Sequence, residues 1–270
     1  MKIDAPTVAE ALERLRKRRP LVHSITNFVV MNTTANALLA IGASPVMAHA
    51  VEELEEMIKI ADAVVINIGT LDRHWISSME RAAEIAGELG KPLVLDPVGA
   101  GATSLRTGTA LKLLESGNVS VLRGNFGEIS ALLGEHGRTR GVDSMVYERD
   151  AAKRLALRAA EEFGLVATVT GATDYVSDGK RIYAVENGTP MLGRVTGTGC
   201  MVTALTGAFA AVEEPLNAAV SALAVFGIAA EKAHEDAEYP GSFHVRLYDW
   251  LYRIDGELIR KRARVMEVEP

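Results

Sequence analysis

A chain of 270 residues, 48% of them hydrophobic, is long enough to bury one large α/β core or two small ones. A formal net charge of −6 argues against a general nucleic-acid binder, because such proteins neutralise phosphates with an excess of Lys and Arg. The single cysteine excludes an intrachain disulfide and a zinc ribbon, and it favours a protein of the reducing cytoplasm.

The N-terminal part of the chain predicts a helix and then two strands with a further helix between them. Residues 1–10 are polar and carry acids, so they do not resemble a signal peptide. The basic run at 14–19 is interpreted as the solvated end of a helix that Pro20 stops, and not as a nucleic-acid site. The first strand ends in His23-Ser-Ile-Thr-Asn27, where the next helix starts, and the second strand ends in Pro45-Val-Met47.

The middle of the chain alternates short apolar, β-rich runs with amphipathic helix patterns. The predicted strands cover residues 63–68, 92–95, 119–122 and 166–170, and the predicted helices cover residues 74–89, 107–115, 126–133 and 150–163. This alternation predicts the three-layer α/β/α class, in which a mostly parallel central sheet carries helices on both faces.

The pattern changes at residue 174, where β-rich runs follow one another without a helix. Residues 174–177 and 180–185 are joined by Asp178-Gly179, a dipeptide typical of tight hairpin turns. We therefore expect a β-hairpin at the antiparallel edge of the sheet.

Beyond the hairpin, the chain is predicted to be mainly helical. The apolar stretch 199–230 is interrupted by Glu213, Glu214 and Pro215, so it predicts two buried helices and no membrane span. We find no linker, repeat or low-complexity segment, and we predict one domain over residues 1–270, with an exposed loop at 134–144.

The most informative motif is Arg194-Val-Thr-Gly-Thr-Gly-Cys-Met201, a glycine-rich turn that runs directly into an apolar helix pattern. Such a turn presents several backbone N–H groups at the positive end of a helix dipole, which suits a phosphate or a developing phosphoryl charge. The sequence has no Gly-x-x-x-x-Gly-Lys-Ser/Thr motif, so we assign the phosphate site to this late turn. With Cys200 at its mouth, the turn indicates phosphoryl transfer to a small alcohol.

Polar or small residues stand at the ends of the predicted strands. They are Asn67 with Gly69, Asp96, Arg123, and Thr170 with Gly171. In an open α/β sheet, ligands bind beyond the carboxyl ends of the strands, so these residues are expected to meet the glycine turn in one crevice. The alternative is that they are the ordinary polar strand ends of any protein.

Two acidic residues are candidates for a magnesium site. Asp96 follows an apolar strand and precedes glycines, so it can hold Mg²⁺ through water beside a phosphate, although a turn or N-cap aspartate gives the same pattern. Asn125 is predicted to cap the next helix, with Glu128 at its third position in a capping box. Glu128 either serves only that cap or also reaches the metal.

The N-terminal strand ends offer candidates for binding an uncharged polar substrate. His23 and the small polar residues that follow it suit such a substrate, although a lone histidine is more often structural. Met47 is interpreted either as a core residue or as an adaptable apolar wall of the substrate site.

Together these motifs resemble the hydroxyethylthiazole kinase family of the ribokinase-like superfamily, and the resemblance covers essentially the whole chain. The motifs that carry it are His23-Ser-Ile-Thr-Asn27, Ser44-Pro-Val-Met47, Asn67-Ile-Gly-Thr70, Asp96-Pro-Val-Gly-Ala-Gly101, Arg123-Gly-Asn-Phe-Gly-Glu128, Val169-Thr-Gly171 and Gly197-Thr-Gly-Cys200. The glycine turn is shared across ribokinase-like kinases, whereas its combination with the N-terminal motif and the cysteine is more specific.

The resemblance implies a three-layer ribokinase-like fold and transfer of the γ-phosphate of ATP to the hydroxyethyl group of the thiazole, with Mg²⁺, in thiamine salvage. It assigns Met47, Gly197, Asn27 and Gly69 to the substrate, Arg123, Thr170 and Gly199 to ATP, Asp96 and Glu128 to the metal, and Cys200 to catalysis. It also implies a homotrimer whose substrate pockets lie at subunit boundaries, with no nucleic-acid or membrane partner.

Cys200 stands where most ribokinase-like kinases carry aspartate, and the thiazole kinases resemble this chain in having cysteine. A helix N-terminus can lower the pKa of a thiol from about 8.5, so Cys200 either accepts the substrate proton or is a small packing residue beside the site. The competing functions are another small-alcohol kinase such as a hydroxymethylpyrimidine kinase, a nucleotide-dependent dehydratase of a hydrated cofactor, and a non-catalytic protein that binds thiazole or nucleotide.

Overall fold

The computed structural model describes residues 2–135 and 145–269, without the side chains of residues 145–148. Most of the loop predicted at 134–144 therefore lies outside the described residues. The strands are β1 (Leu21–Ile25), β2 (Ser44–Val46), β3 (Ala63–Asn67), β4 (Leu93–Asp96), β5 (Val121–Asn125), β6 (Val166–Thr170), β7 (Asp174–Ser177), β8 (Ile182–Val185) and β9 (Val265–Val268).

The helices of the described ranges are α1 (Ala5–Arg18), α2 (Met31–Ile41), α3 (Leu54–Ile60), α4 (Arg73–Glu88), α5 (Ser104–Glu115), α6 (Phe126–Leu132), α7 (Met145–Phe163), α8 (Thr198–Ala210), α9 (Pro215–Asp236), α10 (Pro240–Arg253) and α11 (Gly256–Arg262), and Val51–Glu53 and Pro190–Arg194 form 3-10 turns. As predicted, the basic run 14–19 ends α1, and it puts cations beside the negative end of the helix dipole.

The strands form a single sheet in the order β2-β1-β3-β4-β5-β6-β7-β8-β9. The pairs from β2 to β6 are parallel, and the pairs from β6 to β9 are antiparallel. Successive residues of a strand point to opposite faces of the sheet. In β3, Val64 and Ile66 belong to the hydrophobic cluster formed with α3 to α7. Val65 belongs to the cluster on the other face, formed with α1, α2 and α8 to α10. The predicted α/β/α layers and mostly parallel sheet are confirmed.

The predicted hairpin is β7–β8, with Asp174 opposite Val185 and Ser177 opposite Ile182. It does not form the outer edge of the sheet, because the unpredicted strand β9 pairs with β8 and lies outside it. The strand β9 is only four residues long and half-exposed, and it directly follows a basic helix, so its sequence shows no periodicity long enough to predict a strand.

The two predicted C-terminal apolar helices are α8 and α9. By length and composition alone α9 is apolar enough to cross a membrane, yet 89% of its apolar window is buried inside the protein. Both helices pack in the same hydrophobic cluster as α1 and α2, so their composition is that of core helices. The fold thereby places the N-terminus of α8 at the carboxyl ends of β3 and β4.

Candidate active site

The glycine turn opens α8 without a side-chain cap. Gly197 is the N-cap residue with a φ of 85°, a left-handed conformation that favours glycine, and its carbonyl accepts the first helical bond from Met201 N at 2.8 Å. A Cβ at this position would lie 2.8 Å from Cγ1 of Val30, so space also requires glycine. The first N–H groups of the helix have no partner within it, and this end of the helix lies at the ends of β3 and β4, because Cys200 contacts Asn67 and Thr203 contacts Asp96. Such free N–H groups at a helix N-terminus suit an anion.

Asp96 ends β4 and its side chain is only 1% exposed. Its Oδ2 accepts hydrogen bonds from Asn67 Nδ2 at 2.9 Å and from Thr203 Oγ1 at 2.8 Å, and it lies 4.0 Å from Nη1 of Arg123. Burial raises the pKa of Asp96 to about 6, although Arg123 and the two hydrogen bonds oppose that rise. Asp96 is therefore a buried carboxylate that is suited to bind a cation.

Arg123, on β5, places a guanidinium beside the start of α8. Its Nη2 donates to Thr170 Oγ1 at 3.3 Å, and its Nη1 would lie 2.9 Å from a Cβ on Gly199. The side chain is 13% exposed, and its Nε is buried without a hydrogen-bond partner. An inward-facing cation with spare donors at a helix N-terminus is suited to bind a polyphosphate. Three predicted ATP residues thus lie together, and their roles stay predictions.

Cys200 lies in the first turn of α8, among amide side chains. Its Sγ is 3.2 Å from Nδ2 of Asn67 and 3.7 Å from Nδ2 of Asn27. Burial and then the negative charge of Asp96 raise the pKa of the thiol to about 11. Desolvation of the thiolate thus opposes any lowering of the pKa by the helix N-terminus. At neutral pH the group is a thiol, which is a hydrogen-bonding partner and a poor base.

Asn27 and Gly69, assigned to the alcohol pocket, meet at Asn67. Asn27 Nδ2 and Gly69 N donate to Oδ1 of Asn67 at 2.8 and 3.0 Å. A Cβ on Gly69 would lie 2.6 Å from Nδ2 of Asn27, so the glycine gives the asparagine room to reach across. Two of the predicted pocket residues are therefore fixed to the same amide as Cys200.

Glu128 forms the predicted capping box with Asn125, whose side chain accepts from Glu128 N at 3.0 Å. Its Oε2 accepts from Asn125 N at 2.8 Å, and its Oε1 accepts from Gly99 N at 2.9 Å. The carboxylate thus links the junction of β5 and α6 to the loop after Asp96. Each of its oxygens retains a lone pair, so the cap leaves a role at a metal open.

The carboxylates of Asp96 and Glu128 suit an Mg²⁺ ion that also binds water and phosphate oxygens. Within residues 2–135 and 145–269, no group of three or more His, Cys, Asp or Glu side chains is able to hold a metal. Mg²⁺ usually keeps several waters and binds one or two carboxylates together with substrate phosphates. Asp96 and Glu128 beside an anion site meet that requirement.

His23 and Met47 lie at the β1–β2 side of the sheet. His23 is fully buried, its Nε2 is 2.7 Å from the carbonyl of Ala48, and burial lowers its pKa, which supports a structural role. Met47 follows β2 directly and is half-buried, and it belongs to neither hydrophobic cluster of the described residues. This placement favours the substrate wall over the core.

The structure gives two further residues a place at the centre. The strand-end position of Asn67 predicts that it lies in the crevice, but its bridging contacts depend on which side chains surround it. Thr203 was missed, and its one signal was its position a helical turn beyond Gly199 and Cys200 on the same face of α8. Two surface cavities, of about 320 Å³ beside Glu231 and about 680 Å³ beside Leu39, are lined by residues that do not belong to this candidate site.

The fold is that of the ribokinase-like kinases. The solved structure of the pyridoxal kinase from Staphylococcus aureus, in complex with AMP-PCP and pyridoxal, is 18% identical and has a TM-score of 0.61 over 92% of this chain and 99% of that chain. At that identity the likeness is one of fold alone.

The chain belongs to the hydroxyethylthiazole kinase family, whose model matches residues 12–257. It is 71% identical over 261 residues to the hydroxyethylthiazole kinase of Pyrococcus abyssi, a match that covers 97% of this chain and 98% of the relative. The solved structure of the hydroxyethylthiazole kinase protein from Pyrococcus horikoshii is 67% identical, with a TM-score of 0.92 over 97% of this chain and 99% of that chain. The chain is therefore a kinase, and its family implies a small-molecule substrate with ATP as co-substrate.

Proposed function

We propose that the protein transfers the γ-phosphate of ATP to the hydroxyethyl oxygen of 4-methyl-5-(2-hydroxyethyl)thiazole, a step of thiamine salvage. The observation that carries this proposal is the meeting of Asp96, Arg123 and Cys200 at the uncapped N-terminus of α8. We choose the thiazole alcohol from among small alcohols because a relative that is 71% identical is named hydroxyethylthiazole kinase.

In the proposed reaction, the substrate oxygen attacks the γ-phosphorus, the bond to the β,γ-bridging oxygen breaks, and ADP leaves. The transferred group carries negative charge that the N–H groups at the start of α8 and the guanidinium of Arg123 receive. Thr170 orients that guanidinium from the next strand. Positioning supplies most of the rate, because phosphoryl transfer needs little help from a strong base.

Asp96 and Glu128 are the residues that would hold Mg²⁺, in part through water. When bound, the ion neutralises charge on the phosphates and fixes their geometry. Asp96 is well placed for this because it is the buried carboxylate nearest to Arg123 in the described site.

Cys200 is the catalytic residue of this proposal. Its thiol accepts a hydrogen bond from Asn67 and lies beside Asn27, so we place the substrate hydroxyl in front of it. Because the pKa of the thiol is raised to about 11, its contribution is to orient the hydroxyl, and the leaving proton passes to the phosphate or to solvent. Asn27 and Gly69 then line the alcohol end of the pocket, and Met47 and Gly197 contact the ring.

Exposed apolar residues beside Asn27 support the proposed homotrimer with pockets at subunit boundaries. Phe28 and Val29 directly follow Asn27 and are 59% and 62% exposed. A neighbouring subunit would cover this apolar surface. Light scattering is expected to give three times the mass of the chain, and a monomer would contradict the assembly but not the activity. The single-domain organisation and a cytoplasmic location complete the proposal.

The test is ADP release in the presence of ATP and Mg²⁺, with the thiazole alcohol, with hydroxymethylpyrimidine, or without an acceptor. We expect ADP in proportion to the thiazole alcohol only. Arg123→Leu should abolish the signal, and Arg81→Leu, an exposed arginine paired with Glu84 at 3.0 Å, should keep it. Faster turnover of the pyrimidine would make the protein a different small-alcohol kinase, and tight binding without turnover would make it a sensor.

A further inference from the structure

Asn67 occupies the middle of the candidate active site. It is the last residue of β3, it is 1% exposed, and it stands in register with Asp96 at the end of β4. Equivalent positions of neighbouring parallel strands point their side chains to the same face of the sheet. The register therefore sets the amide of Asn67 directly beside the buried carboxylate.

The contacts fix which way this amide points. The backbone N–H of Gly69 is able only to donate, and it lies 3.0 Å from Oδ1, so the oxygen faces Gly69 and also accepts from Asn27. The nitrogen then faces Asp96 Oδ2 at 2.9 Å and Cys200 Sγ at 3.2 Å. A primary amide has two N–H groups and two acceptor lone pairs, and all four are used here.

This orientation has a consequence for the thiol. Since Sγ of Cys200 takes an N–H from Asn67 on a lone pair, the thiol hydrogen stays available for a different acceptor. The same amide nitrogen bonds the carboxylate of Asp96. The group proposed to orient the substrate hydroxyl is thus held at a set distance from the carboxylate proposed to serve the phosphates.

We propose that Asn67 is a positioning residue that acts through Cys200, by fixing the thiol against Asp96 so that the acceptor hydroxyl and the phosphate meet in line. This inference rests on the proposed function, since it assigns the residue a part in that reaction. Asparagine is the shortest side chain that supplies two donors and two acceptors: aspartate lacks the donors, leucine lacks all four groups, serine has a single donor, and glutamine places the same amide one methylene further out.

The test compares Asn67→Asp, which keeps the size and the two accepted hydrogen bonds but loses both donors, with a matched control. Asn217 is also buried, donates Nδ2 to the carboxylate of Glu213 at 2.6 Å and accepts from Ser221 at 3.0 Å. It lies near the start of α9, beyond the far end of α8. Asn217→Asp therefore removes the same kind of donor beside a carboxylate, away from the site.

We expect Asn67→Asp to lower kcat about 100-fold, because a small misplacement of the reacting groups has an effect of that size. The KM for ATP and the KM for the thiazole alcohol should each change less than about threefold. Asn217→Asp should leave kcat within about twofold of the original even if it lowers Tm as much. Equal kcat for both variants, or a rise in KM at constant kcat, would overturn the positioning role.

A double-mutant cycle with Cys200→Ala separates action through the thiol from an independent role. If Asn67 acts through Cys200, the double variant should be no slower than the slower single variant. Losses that multiply, or an unimpaired Cys200→Ala beside an impaired Asn67→Asp, would overturn the inference. Absence of turnover in the unsubstituted enzyme would instead defeat the proposed function.

A measurement on the unsubstituted protein covers the case in which Asn67→Asp does not fold. A crystal structure with ADP should show Asn67 Nδ2 within hydrogen-bond reach of both Cys200 Sγ and Asp96 Oδ2. An amide turned so that its oxygen faces the thiol, or a separation beyond about 4 Å, would overturn the proposal.

Discussion

Thr203 Oγ1 donates a 2.8 Å hydrogen bond to Oδ2 of Asp96, and so joins α8 to the end of β4 across 107 residues of chain. The same hydroxyl oxygen lies 3.2 Å from the carbonyl of Gly199 in the glycine turn. The helix that carries the anion-binding N–H groups is therefore tied to the carboxylate proposed for the metal.

Replacing this hydroxyl should cost activity as well as stability. A hydrogen bond to a charged group contributes about 1.5–3 kcal/mol, so Thr203→Val should lower kcat about 10- to 100-fold if Asp96 must be held in place in the transition state. The control is Thr206→Val, also on α8 and buried, whose hydroxyl bonds only the carbonyl of Val202 at 2.8 Å. Steady-state kinetics that showed the same kcat for both variants would refute the coupling of α8 to Asp96.

The glycine turn should not tolerate a side chain at Gly197. The left-handed backbone and the 2.8 Å approach of Val30 predict that Gly197→Ala loses about 1–3 kcal/mol of unfolding free energy and most of its activity. Gly193→Ala is the control, because a Cβ there meets no atom within 4 Å and no left-handed φ is required. Urea denaturation and ADP release measure the two effects, and a fully active Gly197→Ala would contradict this role of the turn.

Position 200 should accept a polar group and reject an apolar one. Cys200→Asp is expected to remain active, since aspartate hydrogen-bonds the amides of Asn27 and Asn67, whereas Cys200→Val is expected to lose about 100-fold or more in kcat. Turnover numbers for the two variants decide the matter. Full turnover by Cys200→Val would remove the catalytic role of the thiol and leave the kinase assignment intact.

Asp174 predicts a pH dependence of stability. Burial raises its pKa in the folded protein from 3.8 to about 6, although Gly171 N donates to its Oδ1 at 2.9 Å. Between these values the folded state binds the proton more tightly than the unfolded state, so the contribution of this group to stability falls as the pH rises from about 4 to about 6.

Asp174→Asn keeps the acceptor for Gly171 and removes the titration. The variant should exceed the original protein by about 1–3 kcal/mol at pH 7, and the difference should vanish by about pH 4. Urea denaturation across this range gives the comparison. A difference that is constant with pH, or that grows as the pH falls, would show that Asp174 does not titrate in this way.

The order of strands and helices was predictable from the sequence because buried parallel strands and amphipathic helices have strong, distinct periodicities. The strand β9 was not predictable, since its four residues pair only through the edge that β8 offers them. Its place outside the hairpin depends on a contact between distant parts of the chain, which local periodicity does not encode.

The meeting of the strand ends was predictable from topology, and the finer chemistry was not. Asp96 and Thr170 end β4 and β6, and Arg123 lies two residues before the end of β5 between them, so their approach follows from the parallel sheet. The raised pKa of Cys200 depends on burial, and the bridge made by Asn67 depends on Gly69 leaving space for Asn27. Such three-dimensional facts leave only weak traces in the sequence.

In the proposed function, these strand ends and the start of α8 surround one triphosphate. A crystal structure with a non-hydrolysable ATP analogue and Mg²⁺ tests it most directly. We expect the phosphates at the N-terminus of α8, within hydrogen-bond reach of the N–H groups of Gly199 and Cys200, with the guanidinium of Arg123 against them. A nucleotide whose phosphates bind away from α8 and out of reach of Arg123 would refute this placement of the active site.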